Sequence, residues 1–364
     1  MTSSADGAPL FAVVMAGGAG TRFWPLSRRS RPKQLLPFAQ GRSLLAATVE
    51  RLAPLVAPER TLVVTSLDVA DAVRAEVGGI PPANVLAEPE GRDTAACVGW
   101  AAWRLARTSP GAVMVVVPAD HLIPDGAALR SALAAAAATA FARGGLVTLG
   151  VRPTRPETGF GYLEVGEAVG TAGAHRVREV RRFVEKPDRA TAEAFLEAGG
   201  FYWNSGMFAW RVQTIVEAFR AHLPRLANGL DELASASESL GETEALRRHY
   251  PSLEKVSVDF GVMEKAAPVW AIEVDFAWSD VGSWAGLAEA MPRSECGVSL
   301  GDVLALDSGG SVLVSDGPLV ATVGVRDLVV VATRDAVLVV PRDQVQRVKE
   351  LVETLRAKGR GELL

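Results

Sequence analysis

Cysteine and histidine are scarce in this chain. The two cysteines, Cys97 and Cys296, cannot build a disulfide framework, and no paired-cysteine spacing suggests structural zinc. The four histidines, His121, His175, His222 and His249, are scattered, which argues against a histidine metal cage. An excess of positive charge is also missing. Lysine and arginine number 38 against 42 acidic residues, a net charge of −4, so no nucleic-acid partner is expected, while a local basic pocket is compatible with this balance. Long apolar runs are absent as well. Leu10 to Ala16 is short and runs into glycines, and the alanines Ala134–Ala138 lie between Arg130 and Arg143, which fits a helix in contact with water. The amino terminus is small and polar and carries Asp6 where a leader would carry positive charge. A cytoplasmic protein with no membrane partner is the expectation.

What is present is a large apolar fraction, 49% of 364 residues, enough for two packed domains. The first half alternates strand-like and helix-like segments. Phe11–Met15, Thr61–Thr65, Val85-Leu86 and Ala112–Val117 read as strands, and Ser43–Leu52, Asp68–Val77, Thr94–Arg107 and Ala127–Ala142 as helices. Apolar strands without alternation predict an α/β fold with a mainly parallel sheet covered on both faces. Ligands in such sheets bind beyond the carboxyl ends of the strands, here just after Met15, Leu86 and Val117. From about Gly145 the texture becomes mixed. From about Gly301 to Val340 short Val/Leu strands are separated by Asp, Ser and Gly turns, predicting a small β domain followed by a helix over 342–357. The expected division is 1–290 and 291–364.

A glycine-rich run, Gly17-Gly18-Ala19-Gly20-Thr21-Arg22, follows the first strand, and Pro32-Lys33-Gln34 comes soon after. Glycines in such a turn bring backbone N–H groups against phosphate. The GxGxxG pattern fails at Phe23 and the GxxxxGK pattern fails at Arg22, which disfavours a nicotinamide-dependent dehydrogenase. The run supplies two side-chain cations instead, Arg22 and Lys33, suited to a polyphosphate whose charge must be neutralised during reaction. Glu88, after the third strand, places a carboxylate at the same sheet edge, able to accept paired donors of a ligand. Asp93 or Thr94 can cap the helix that follows.

The run AGGAGTRFWPLSR with PKQ resembles the signature of the sugar-nucleotide pyrophosphorylases, most closely their mannose-1-phosphate guanylyltransferase branch. The resemblance continues in order through Glu88-Pro-Glu-Gly-Arg-Asp-Thr-Ala95, Pro118-Ala-Asp-His121, Thr158–Tyr162, Phe183–Pro187, Trp203–Phe208 and Trp278–Trp284. Two positions depart from the pattern: Asp93 stands where the branch usually has Asn, and Phe160 where it usually has Tyr.

The resemblance implies a Rossmann-like nucleotidyltransferase domain and a short left-handed β-helix-like carboxyl-terminal domain. It implies transfer of GMP from GTP to α-D-mannose 1-phosphate with Mg²⁺ held by Asp120 and Asp280. Arg22, Lys33 and Lys186 become the catalytic cations. Gly17, Gly18, Gly20, Thr21, Glu88, Arg92 and Thr94 become the nucleotide site, and Gly161, Glu185 and Asn204 the sugar site. Another sugar 1-phosphate, another base, or a non-catalytic nucleotide-sugar sensor stays open on the sequence. A sensor would be free to lose Arg22, Lys33, Asp120 and Asp280. A fused isomerase barrel is not expected, since the chain ends soon after the β segment. Apolar strands in the carboxyl-terminal domain point to a homodimer.

Overall fold

The computed structural model describes residues 7–18, 20–292 and 297–364, and these fall into two compact units. The first comprises residues up to 17 with 48–119 and 124–277. Its frame is a nine-stranded sheet. The strands are β1 (Leu10–Ala16), β2 (Thr61–Ser66), β3 (Val85–Glu88), β4 (Val113–Pro118), β5 (Leu146–Val151), β6 (Tyr162–Ala172), β7 (His175–Val184), β8 (Phe201–Arg211) and β9 (Val269–Val274). They are ordered β3-β2-β1-β4-β8-β5-β9-β7-β6.

The four amino-terminal strands are all parallel, as their unbroken valine and leucine runs predict. Beyond β4 the sheet is mixed. β8 runs antiparallel to β4 and β5, and β6 and β7 form a long antiparallel pair. Helix Asp93–Thr108 buries Val98, Trp100, Trp103 and Leu105 together with the small residues Ala95, Ala96, Ala101 and Ala102. Register places the carboxyl ends of the parallel strands along one edge, with Ala16 opposite Thr65, Met15 opposite Pro118 and Ser66 opposite Glu88. Gly17 and Glu88 therefore share the edge at which such sheets bind ligands.

The second unit comprises 18–47, 120–123 and 278–364. Strands β10 (Gly297–Leu300), β12 (Ser311–Asp316) and β14 (Leu328–Thr333) stack in parallel, and β15 (Val337–Pro341) closes that sheet antiparallel. β11 (Val303–Leu306) and β13 (Val320–Val323) form a second parallel pair. Parallel pairing of successive short strands in two sheets is the winding of a β-helix. This unit joins the carboxyl-terminal residues to two segments from early in the chain, 18–47 and 120–123. Phe23, Trp24, Leu36 and Phe38 bury in one core with Trp284, Val312, Val314, Val329 and Val331, so the segment after the glycine run packs with the carboxyl-terminal strands. The rings of Phe23, Phe38 and Trp284 meet at centroid distances of 4.9–5.9 Å. The last helix begins as a 3₁₀ turn, Arg342–Arg347, and continues as Val348–Ala357, with Val345, Val348 and Val352 buried in that core. Among the described residues no helix is long and apolar enough to cross a membrane.

Candidate active site

The glycine run ends in a tight turn. Gly20 has φ of +57°, and a Cβ there would lie 2.4 Å from Cβ of Lys33 and 2.8 Å from its backbone nitrogen. Glycine is thus required twice over, for backbone angle and for space. The close approach seats the 3₁₀ turn Thr21–Phe23 against the turn Lys33–Leu35. Ser27 locks the arrangement by donating its hydroxyl to the Gly20 carbonyl at 2.8 Å.

Lys33 is buried. Its ammonium donates to Oδ2 of Asp120 at 2.8 Å and to the backbone carbonyl of Asp280 at 2.5 Å. The segments carrying the two aspartates are joined directly, because Leu122 and Ser279 exchange backbone hydrogen bonds at 2.9 and 3.1 Å. Burial pushes the Asp120 carboxyl up, but the Lys33 ammonium, helped by His121, overcomes this and holds it below the ordinary carboxylate range. His121 is a structural neighbour in this setting. Its Nδ1 accepts from the indole N–H of Trp278 at 3.1 Å, and the two rings meet edge to face. The Asp280 carboxylate accepts the N–H of Gly282 at 3.1 Å, and the Arg22 guanidinium donates to the Gly282 carbonyl at 3.3 Å. Arg22, Lys33, Asp120 and Asp280 line one cavity of about 360 Å³, with Gly20 and Thr21 in its wall. Lys349, from the last helix, lines it too.

In the first unit Glu88 is 5% exposed. Its Oε1 accepts the hydroxyl of Tyr250, and a Cβ on Gly17 would stand 4.0 Å from its Oε2. Burial raises its pKa to about 7, and the Tyr250 hydrogen bond offsets only part of that rise. Arg92 pairs with Glu90 and donates to the Pro251 carbonyl. The capping expectation is corrected here. Helix Asp93–Thr108 has Arg92 at its N-cap with no side-chain cap, Asp93 has φ of +63°, and the Asp93 carboxylate accepts the adjacent Thr94 N–H at 2.8 Å. The Thr94 hydroxyl instead accepts the Val258 N–H at 2.9 Å, anchoring a distant loop.

A second cluster of the first unit gathers Gly161, Glu185, Lys186 and Asn204. Lys186, with φ of +46°, donates to Glu185 at 2.5 Å, and a Cβ on Gly161 would lie 2.6 Å from Glu185 Oε2. Gly161 accepts the Asn204 N–H at 2.8 Å. The Asn204 amide is fixed at both ends, its oxygen accepting from Thr148 at 2.9 Å and its nitrogen donating to Asp259 at 2.8 Å. Glu264 accepts the Glu185 N–H at 3.1 Å. Burial and the nearby Glu185 charge raise Asp259 to about 6. Tyr250, Asp259, Glu264 and Lys349 escaped the sequence reading. For Asp259 and Glu264 the available signal was an acidic pair flanking the apolar stretch Phe260-Gly-Val-Met263, of which Gly261, Val262 and Met263 are buried.

Comparison with known proteins fits this geometry. Residues 11–295 match the nucleotidyl transferase family, and residues 301–355 match a MannoseP isomerase/GMP-like β-helix domain. The Xanthan biosynthesis protein XanB of Xanthomonas campestris is 39% identical over 96% of this chain and 74% of its own length. The mannose-1-phosphate guanylyltransferase of Escherichia coli is 38% identical over 97% of this chain and 75% of its own length. A crystal structure of mannose-1-phosphate geranyltransferase from Thermus thermophilus superposes with a TM-score of 0.86 at 42% identity, covering 95% of this chain and 99% of that one. Together with the glycine turn, the paired lysine and aspartates and the trailing β-helix, these matches show that the chain belongs to the nucleotidyl transferase family, in the branch that carries a MannoseP isomerase/GMP-like β-helix domain.

Proposed function

We propose that this chain transfers GMP from GTP to α-D-mannose 1-phosphate, giving GDP-mannose and pyrophosphate. The observation that carries the reading is the cavity in which Arg22, Lys33, Asp120 and Asp280 meet on the glycine turn. Near-full-length similarity to a mannose-1-phosphate guanylyltransferase supports the choice of base and sugar. An oxygen of the sugar phosphate attacks the α-phosphorus, the bond to the β-phosphate breaks in line, and pyrophosphate leaves with the electron pair. No covalent enzyme intermediate is required.

Arg22 and Lys33 offset the charge that grows on the leaving group, and Lys186 steers the attacking phosphate. Glu185 and Asn204 take the hexose hydroxyls, and Glu88 accepts from the guanine edge. Gly17, Gly18, Gly20 and Thr21 offer backbone N–H groups to the phosphates, while Arg92 and Thr94 shape the loop beside the base. Asp120 and Asp280 suit a hard divalent cation, because their segments already converge on the Lys33 ammonium. Among the described residues no group of three or more metal-binding side chains occurs, so substrate phosphates and water would complete the shell. Mg²⁺ held there would supply charge neutralisation at the α-phosphate.

The working form we infer is a cytoplasmic homodimer. Leu304, Leu306, Ala321 and Val323 point outward from β11 and β13 as one apolar face, which supports pairing of two copies. Light scattering at the mass of a single chain would remove that part of the reading. The activity is tested by pyrophosphate release across four nucleoside triphosphates and three hexose 1-phosphates. GTP with mannose 1-phosphate should be fastest, and a faster rate for any other pair would reassign the substrates.

A further inference from the structure

We propose that Lys349, on the carboxyl-terminal helix, is a substrate-binding residue that contacts the β- and γ-phosphates of the nucleotide and then the departing pyrophosphate. The inference rests on the nucleotidyl-transfer reading above and adds a residue outside the matched motifs. The cavity is lined by three cations, Arg22, Lys33 and Lys349, and by two carboxylates, Asp120 and Asp280. Two of these cations are already engaged by the protein. Lys33 donates to Asp120 and to the Asp280 carbonyl, and Arg22 donates to the Gly282 carbonyl. Among the described residues Lys349 has only a distant ion pair, 4.0 Å from Glu353 on its own helix, with both side chains about 60% exposed. Its charge is held at the cavity with little internal compensation, an arrangement that suits an incoming polyanion.

Its placement is built into the fold. Val348 and Val352 bury in the same core as Phe23, so the helix is fixed on the Thr21–Phe23 turn that follows the glycine run. The Trp24 indole donates to the Leu363 carbonyl at 2.8 Å and ties the chain end to the same turn. Lys349, next to buried Val348, stands where the apolar stripe gives way to the cavity wall. The turn residues Gly20, Thr21 and Arg22 are those read as the triphosphate cradle, so the phosphate chain is the part of the substrates within reach of Lys349. A cation at its far end meets charge that increases as pyrophosphate separates.

The test compares Lys349→Ala, Lys349→Arg and, as a control away from the cavity, Lys358→Ala. One exposed charge-assisted contact predicts a rise of about 5- to 20-fold in KM for GTP and in the inhibition constant for pyrophosphate in Lys349→Ala. KM for mannose 1-phosphate should stay within about twofold, arginine should restore most of the loss, and the melting temperature should not move. Calorimetric titration of the unliganded protein with pyrophosphate and Mg²⁺ should show the same weakening, and it reads Lys349 even if no transfer is detected. A wild-type chain that releases no pyrophosphate from any triphosphate overturns the function, whereas unchanged pyrophosphate affinity in Lys349→Ala overturns the role of Lys349. An equal loss in Lys358→Ala, or a loss confined to mannose 1-phosphate, overturns it as well.

Discussion

Two carboxylates of this protein, Asp120 and Glu88, sit in opposite electrostatic situations. Asp120 faces a built-in ammonium, which keeps it ionised far below neutral pH despite burial. Glu88 is buried beside a phenol, and its pKa rises to about 7. A permanent cation prepares a site in advance, whereas a neutral donor leaves the charge to be stabilised by whatever binds. The first arrangement suits phosphate chemistry, where the charge must be in place before substrate arrives. The second suits recognition, because a guanine edge brings two donors of its own to a carboxylate that is otherwise reluctant to ionise.

Breaking the first arrangement should give the largest effect. Lys33→Ala removes the ammonium that joins Asp120 to the Asp280 segment and leaves a carboxylate without its partner. Loss of a preorganised charge at the reacting phosphate predicts a fall in kcat on the order of 10³-fold, with a much smaller change in KM for mannose 1-phosphate. Steady-state kinetics with both substrates varied checks this, and a pure KM effect on the sugar phosphate would move Lys33 to the other substrate. Asp120→Asn and Asp280→Asn should follow, each losing about 10²-fold in turnover with the fold retained. Titrating Mg²⁺ against rate checks the pair, and turnover unchanged at limiting Mg²⁺ would remove that residue from the metal.

The motif residues of the first arrangement were legible because a short segment carries each of them. The glycine run announces Gly20 and Arg22, and an apolar strand ending at Pro118 announces Asp120. The parallel part of the sheet followed from unbroken valine runs. What was not legible came from long-range closure. Tyr250 meets Glu88 across 162 residues, and nothing in Tyr250-Pro-Ser252 marks that phenol as a partner. Asp259 lies within a π-helical turn, Asp259–Met263, and is defined by its hydrogen bond to Asn204. Lys349 reads in sequence as the solvated side of an amphipathic helix, and burial of Val348 in the core that holds Phe23 brings it to the cavity. The packing of the aromatic residues after the glycine run was illegible for the same reason, since their core is completed by valines almost three hundred positions later.

Glu88→Gln sharpens the second arrangement. A glutamine keeps one acceptor and turns an NH₂ toward a guanine donor, so kcat/KM for GTP should fall about 10- to 150-fold. ITP lacks the N2 amino group and should lose less, which makes the GTP-to-ITP ratio the quantity to measure. Equal losses for both nucleotides would shift base reading to Asp93 or to backbone carbonyls near Gly91.

A smaller effect concerns the unliganded protein. The folded pKa of Glu88 is raised, from 4.5 to about 7, so the folded state holds the proton more tightly than the unfolded chain. Its contribution is fully present below about pH 4.5 and is lost as pH rises through about 7, a change of roughly 3 kcal/mol at most. Melting temperature against pH should therefore decline more steeply over that window in wild type than in Glu88→Gln. Parallel curves would mean that Glu88 does not titrate there.

The contrast between the two carboxylates is tested most directly by the affinity for GTP as a function of pH, measured in wild type and in Glu88→Gln. The ligand's own phosphate titration is common to both proteins and cancels in the comparison. Guanine binding to the ionised form requires Glu88 to release its proton, so wild-type affinity should rise relative to the variant as pH increases from about 5.5 to 8, levelling above the pKa of about 7. A constant wild-type-to-variant ratio across that range would contradict a carboxylate that its ligand brings into charge.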